Sequence, residues 1–473
     1  MYGKQEDMVY IDIYEFPTYE PMFIRNSLKG VPVALISLGC DKNTVDSENM
    51  LGGLGLAGCI FTNDLAKAQI IIINTCGFLK SAIKESEDNI RLAIKQKDEG
   101  VCRAVIVAGC AAERFKAHFL NKFDEIDAIV GVNEYSEIKK ITEDALNRTF
   151  DKRTDYTRLD KHRFNEELFL NRIVSTPKHY AYLKIAEGCD KKCTYCTIPN
   201  IRGPYRSRTF DSLIQEARML AKKGVKELIL VAQDTTLYGT DLYDKKRLHE
   251  LLFELSKIKN IVWIRILYCY PEHIYPELLQ EIKNNKKVTK YIDMPIQHSE
   301  NKILKLMGRQ TTKEFIKDII NEIRETIPNI SIRTTLISGF PGEEREDFKA
   351  LCNFVKEMKF DKLGVFPYSR EEGTPADKLP DHITERTKNT RAGRIMLVQK
   401  EVSENKLKEK VGSIITIVTE GNENGMYYGR SEFDAPEIDT LVHFASNNDI
   451  KIGDFVQVEI QSSDEYDLKG VAV

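Results

Sequence analysis

No apolar run in this 473-residue chain approaches the ~20 residues that a membrane-spanning helix needs. The segment Met1 to Gly30 is polar and acidic and lacks a charged start followed by an apolar stretch, so no secretory leader is expected. Basic charge is not in excess. The 69 Lys and Arg residues stand against 72 Asp and Glu, a formal net charge of −3, and no global positive field calls for a nucleic acid. Ten cysteines are too few to staple a chain of this length with disulfides, and clustered thiols in a reducing compartment point instead to metal ligation or catalysis. Internal repeats and low-complexity segments are also missing. What remains is ordinary globular material, 42% hydrophobic and 30% charged, which excludes a disordered, collagen-like or coiled-coil chain. At roughly 100–200 residues per domain, the length implies about three domains.

The apolar pattern orders them. Val31 to Ser37, Ala68 to Ile73 and Arg103 to Ala108 are short β-forming runs separated by helical patterns such as Phe78 to Asp98. Continuous apolar strands alternating with helices predict an open parallel sheet covered on both faces. Charge is dense and pattern weak from about Asp144 to Thr176, read as a linker with a strand or hairpin near Phe169 to Val174. Strand–helix alternation then resumes with Tyr180 to Ala186, Glu227 to Ala232, Val262 to Leu267, Tyr291 to Pro295, Ser331 to Ile337 and Lys362 to Phe366, separated by helices such as Asp211 to Lys223 and Lys313 to Thr326. Six such units predict a partial (β/α) barrel with its active groups at the strand C-termini. After a charged helix, about Thr384 to Glu409, five short runs bounded by Gly, Asn and Asp predict a small antiparallel β-barrel. The expected divisions are an extension at 1–30, the first α/β domain at 31–145, a linker at 146–175, the partial barrel at 176–408 and the β-barrel at 409–473.

Cys40, Cys76 and Cys110 each follow a predicted parallel strand directly, about 35 residues apart. Ligand sites in open sheets lie at the carboxyl ends of strands, so these thiols should converge. One such cysteine would read as a small buried hydrophobe; three at equivalent positions read as a site. Cys59, Cys102, Cys269 and Cys352 lack that placement and read as packing residues.

The strongest pattern is Gly188-Cys189-Asp-Lys-Lys-Cys193-Thr-Tyr195-Cys196, a CxxxCxxC loop following the first barrel strand. Cysteine thiolates are the usual ligands of iron–sulfur clusters, and three of them leave one iron of a cubane open to chelate a substrate or cofactor. A structural zinc site would be closed by a fourth ligand, and no His or Cys stands near enough in sequence to close it.

This loop resembles that of the radical S-adenosylmethionine (SAM) superfamily. With a tri-cysteine α/β domain before it and a TRAM-like β-barrel after it, the chain from about Val31 to Val473 is similar to the radical SAM methylthiotransferases. The resemblance implies a [4Fe–4S] cluster on Cys189, Cys193 and Cys196, whose open iron binds SAM and yields a 5′-deoxyadenosyl radical. It implies a second [4Fe–4S] cluster on Cys40, Cys76 and Cys110, one SAM spent on methylating sulfur, and an electron donor such as flavodoxin or ferredoxin. Ser37-Leu-Gly-Cys-Asp-Lys-Asn-Thr-Val-Asp-Ser-Glu48, Val231-Ala-Gln-Asp-Thr-Thr-Leu-Tyr-Gly239, Asp293-Met-Pro-Ile-Gln-His298 and Asp434-Ala-Pro-Glu-Ile-Asp439 look like the branch that modifies a protein rather than tRNA. For that branch the substrate is the β-carbon of an aspartate in small-subunit ribosomal protein S-twelve. Asp41 stands where that branch usually has Pro. A tRNA methylthiotransferase and a non-enzymatic iron–sulfur carrier or redox sensor are the alternatives.

Charge bears on the choice. Residues 411–473 carry three basic and twelve acidic side chains, a net of −9 that leaves +6 for the remainder. A module gripping tRNA should be basic, whereas an acidic one suits a basic ribosomal protein, so tRNA is not expected as a partner. SAM contacts are expected at Gln233, Gln297, Arg333 and Gly339, the arginine through a bidentate pair with the SAM carboxylate. Arg265 and His298 are weaker candidates, and Tyr368, Ser369 and Glu371 could line the substrate opening. Asp46 and Glu48 read as helix-start residues.

Overall fold

The computed structural model describes residues 28–147, 154–156 and 166–473. Most of the expected N-terminal extension and much of the expected linker lie outside them. The described residues form two compact units. The first takes those of Met1–Pro177 with Glu187–Asp190 and Cys196–Glu216; the second takes Lys178–Ala186, Lys191–Tyr195 and Ala217–Val473.

The first unit is built on a parallel sheet in the order β2–β1–β3–β4–β5–β6, with β1 Pro32–Ser37, β2 Ile60–Phe61, β3 Ile70–Thr75, β4 Ala104–Gly109, β5 Ala128–Val130 and β6 Thr154–Tyr156. Every residue of β3 and β4 is buried. Their alternation sorts them onto two faces. Ile70, Ile72, Ala104 and Ile106 pack with Met50 and Leu54 of α1 (Asp41–Leu56), whereas Ile71, Ile73, Val105 and Val107 pack with Ile90 and Ala93 of α2 (Lys80–Glu99). The apolar run is continuous because both faces are covered.

Two short helices, α3 (Cys110–Arg114) and α4 (Lys116–Lys122), follow β4, and α5 (Ile138–Asn147) follows β5. The strand expected near Phe169 to Val174 is instead a helical turn, α6 (Glu167–Leu170). Charge decides this segment rather than alternation. Arg208 stacks 3.6 Å from the Phe169 ring, and buried Arg172 pairs with Glu48 at 3.2 Å and Glu216 at 2.7 Å.

In the second unit six parallel strands form two three-stranded sheets. Tyr180–Lys184, Glu227–Val231 and Trp263–Ile266 make one; Tyr291–Asp293, Ser331–Ser338 and Lys362–Pro367 make the other. The Ile264 N–H donates to the Lys287 carbonyl at 2.7 Å, and the Thr289 N–H donates to that of Ile264 at 3.0 Å, which ties the sheets into one open array. Residues 414–472 close into a five-stranded barrel. It departs from the expected antiparallel pattern at one pair, because Val442–Ala445 and Leu468–Ala472 run parallel.

This small barrel seals the floor of the array. All six strands meet it at their starts. Tyr180 donates to Glu437 at 2.9 Å, Arg430 to Glu227 at 2.7 Å, Arg265 to the Glu432 carbonyl at 2.9 Å, Tyr291 to Asp439 at 2.7 Å and Ser331 to the Phe433 carbonyl at 3.1 Å, while Lys362 pairs with Asp434 at 2.8 Å. The Asp434-to-Asp439 motif is therefore a docking segment. Seven of the domain's twelve acids (Glu420, Glu432, Asp434, Glu437, Asp439, Asp454 and Glu465) bond to residues of this unit outside the barrel. Their charge complements the array's own donors, so the net acidity does not choose between a protein and an RNA partner.

Candidate functional site: two cysteine loops

The parallel register aligns Ser37 with Asn74 and Thr75 with Gly109, so the loops after β1, β3 and β4 leave the sheet at one edge. Cys40 is the N-cap residue of α1, Cys76 follows β3 and Cys110 opens α3. The helix start beside Cys40 favours negative charge. Gly39 takes φ +97°, and a Cβ there would stand 2.9 Å from that of Cys76, so only glycine lets the two loops approach this closely. Asn43 stitches all three loops. Its Nδ2 donates to the Leu38 carbonyl at 2.9 Å and the Thr75 carbonyl at 3.0 Å, and its Oδ1 accepts from the Cys110 thiol at 3.5 Å.

A cation completes the group. Arg202 ends α7 (Ile198–Arg202) and is 1% exposed. Its Nη2 lies 3.1 Å from Cys110 Sγ and 2.5 Å from Asn43 Oδ1, and its Nη1 reaches Glu187 at 2.8 Å and Asp46 at 3.1 Å. Burial opposes the Arg202 charge, but Cys110, Glu187 and Asp46 together hold it well above the ordinary arginine value. Burial pushes the Cys110 thiol up to about 12, against the pull of Arg202, and the Cys76 thiol is raised for the same reason. Asp46 and Glu48 are buried ion-pair partners rather than helix caps.

Among the described residues no three His, Cys, Asp or Glu side chains close on a single ion. A cluster asks for something different, since each thiolate takes its own iron and the sulfurs need not meet at one point. Three thiols on one sheet edge, a glycine cradle and a buried cation suit it.

The CxxxCxxC loop is held from several sides. Gly188 takes φ +81°, and a Cβ there would stand 2.0 Å from the Pro204 carbonyl oxygen. In the first unit the Cys189 N–H donates to the Gly203 carbonyl at 3.1 Å, and Cys196 Sγ accepts the Ile198 N–H at 3.4 Å. In the second unit Cys193 is buried, the Thr194 N–H donates to the Met307 carbonyl at 2.9 Å, and Tyr195 meets Phe340 edge-on. Buried Arg309 stacks 4.5 Å from the Tyr270 ring. Burial works against its charge, while Tyr195, Tyr270 and Cys193 raise it above the usual arginine value. Each cysteine loop thus has its own buried arginine.

The expected SAM contacts separate. Gln233 follows the second barrel strand. Gln297 adopts φ +70° and is fixed by a bond from its N–H to the Thr335 carbonyl at 2.9 Å. Gly339 follows the fifth strand, its N–H donating to Glu343 at 2.7 Å. These three lie at strand C-termini. Arg333 does not. It stands five residues before Ser338, roughly 16 Å at ~3.3 Å per residue, and pairs with Asp293 at 2.9 Å and Asp439 at 3.6 Å. Its guanidinium belongs to the floor, as does that of Arg265, which donates to Glu227 at 2.8 Å. At the open end, buried Nε2 of His298, Nε of Arg309 and Oη of Tyr368 make no hydrogen bond. Ser369 donates to Glu371 at 2.7 Å. Pattern reading missed Asn43, Arg202 and Arg309. Only Asn43, three residues past a candidate cysteine at a helix start, carried a local signal.

Comparison with known proteins gives matches along nearly the whole chain. The radical SAM superfamily matches residues 183–355, the uncharacterized protein family UPF0004 matches 32–131, and the TRAM domain matches 411–473. The ribosomal protein uS12 methylthiotransferase RimO of Acetivibrio thermocellus is 49% identical over 449 residues, 93% of this chain and 98% of that protein. The protein of the same name from Clostridioides difficile is 48% identical over 440 residues, 93% of this chain and 98% of its own. Among solved structures, the radical SAM methyltransferase TsrM of Kitasatospora setae, with cobalamin and a [4Fe–4S] cluster bound, superposes with TM-score 0.53 at 14% identity, covering 73% of this chain and 74% of that one, a likeness of fold.

Proposed function

This chain belongs to the RimO family of radical SAM methylthiotransferases, and we propose that it replaces a hydrogen on the β-carbon of an aspartate in small-subunit ribosomal protein uS12 with a methylthio group. The observation that carries this reading is the near-complete coverage, at almost half identity, of proteins bearing that name. The two cysteine loops supply its chemistry. Cys189, Cys193 and Cys196 would hold the [4Fe–4S] cluster that binds SAM, and Cys40, Cys76 and Cys110 the second. When bound, the first cluster supplies the electron that cleaves SAM to a hydrogen-abstracting radical, and the second holds the sulfur to be transferred.

The chain's own residues prepare that chemistry. Gln233, Gln297 and Gly339 stand at strand ends where they can orient SAM, and Arg333 braces the floor. Tyr195 against Phe340 excludes water beside Cys193. Arg202 places positive charge beside the Cys110 sulfur, against the push of burial on that thiol, and Arg309 adds a buried cation near Cys193. The proposed domain limits are 31–145, 176–408 and 409–473, in a cytoplasmic protein that draws electrons from a flavodoxin or ferredoxin. No described helix is long and apolar enough to cross a membrane.

The deciding experiment offers anaerobically reconstituted protein, with SAM, reductant and sulfide, a uS12 peptide and bulk tRNA in separate reactions. Mass spectrometry should find methylthio in place of hydrogen on the peptide aspartate and unmodified tRNA. Modified tRNA with unmodified peptide would overturn the substrate, and absence of SAM cleavage would overturn the radical chemistry.

A further inference from the structure

Arg202 is a buried cation within hydrogen-bond distance of a candidate ligand sulfur, 3.1 Å from Cys110 Sγ. A purely structural arginine would be satisfied by carboxylates. Here the fork divides. Nη1 takes both acids, Asp46 and Glu187, while Nη2 turns to the Cys110 sulfur and to Asn43, the residue that gathers the three cysteine loops. Position in the chain adds a second fact. Arg202 ends the short helix that begins two residues after Cys196, so the segment leaving one cysteine loop delivers its cation to the other.

We infer that Arg202 is a positioning residue for the cluster of Cys40, Cys76 and Cys110: its Nη2 donates a hydrogen bond to the Cys110 sulfur and raises that cluster's reduction potential. Hydrogen bonds to ligand sulfur and nearby positive charge favour the reduced, more negative cluster. The inference rests on the reading of the two cysteine triads as cluster sites.

The test uses the full chain with Cys189, Cys193 and Cys196 replaced by alanine, so that the N-terminal triad alone can load. Asp46→Asn and Glu187→Gln are added to the parent, so that removing Arg202 strands no buried carboxylate. After anaerobic reconstitution, iron and sulfide per chain and an EPR-monitored redox titration are measured for the parent, R202M and R202K. The parent should hold one cluster's iron. R202M should titrate at a lower midpoint with an altered g-tensor, and R202K, which keeps charge but cannot fork, should fall between them. If R202M does not fold, R202K still decides, because its midpoint must drop below the parent's. A midpoint and spectrum identical to the parent in every folded variant overturn the role of Arg202. A parent that folds, by circular dichroism and melting, yet takes up no iron, while the chain with all six cysteines does, overturns the triad reading itself, and the two failures are thereby distinct.

Discussion

The floor and the open end of the six-strand array are made from the same strands, yet they treat polar groups in opposite ways. On the floor, buried Glu227 accepts from Arg265 at 2.8 Å and from Arg430 at 2.7 Å, and Arg430 also reaches Glu420 at 2.6 Å. Each of these four charges has a partner of opposite sign. At the open end, Arg309 and Tyr368 keep buried polar atoms without hydrogen bonds, His298 Nε2 has only the Glu343 carboxylate at 3.6 Å, and Gln297 is held at positive φ. Unpaired buried polar atoms cost stability, so a fold retains them where a ligand completes them. The difference teaches which end is scaffold and which is site.

Substitutions should separate the two. The largest effect is expected from Cys193→Ala, which should abolish SAM cleavage, read as 5′-deoxyadenosine by chromatography, while the melting temperature of the cluster-free protein stays within a few degrees. A matching loss of fold would break the comparison. Next, Glu227→Gln should leave buried Arg265 without its carboxylate and Arg430 with Glu420 alone, and cost about 3–5 kcal/mol in denaturant unfolding, with SAM cleavage per folded molecule unchanged. The acid limb provides a check. The two arginines hold the Glu227 carboxyl at about 2, below its ordinary 4.5, against the cost of burial. Its contribution is therefore complete above pH 4.5 and lost as pH falls toward 2, and the variant's stability should be flatter across that window.

Tyr368→Phe removes a buried hydroxyl that has no partner, so stability should stay within about 0.5 kcal/mol. The KM for SAM or for the uS12 peptide should rise if the open end reserves that group for a ligand; unchanged kinetics would assign Tyr368 to packing. The smallest effect belongs to the floor's rim. The Lys226–Asp454 pair, at 3.4 Å, is solvent-exposed on both sides, and Lys226→Ala should cost less than about 1 kcal/mol, falling further in high salt.

Much of this was legible in the residue pattern. The expected barrel strands at Ser331 to Ile337 and Lys362 to Phe366 are observed at Ser331–Ser338 and Lys362–Pro367, because buried parallel strands write themselves as unbroken apolar runs. The convergence of Cys40, Cys76 and Cys110 followed from their places just past the ends of parallel strands. What stayed hidden depends on contacts far apart in sequence. Arg202 meets Cys110 across 92 positions and Glu187 across 15, and no periodicity encodes that. The acids of the C-terminal barrel looked like a free field, because their partners Lys290, Arg333 and Lys362 lie more than seventy residues earlier. Arg333 looked like a ligand because sequence places it near a strand's start without saying which acids wait there.

The first unit does not end where its sheet ends. Its core includes Ile201, and its cysteine group includes Arg202, both contributed after the chain has passed through the CxxxCxxC loop. A fragment stopping at Pro177 would keep Cys40, Cys76 and Cys110 yet lose the arginine beside them and leave an apolar face bare. The tri-cysteine domain is therefore not a transferable module. Cut at Pro177, the tri-cysteine sheet would lack residues 187–190 and 196–216, which complete its own unit.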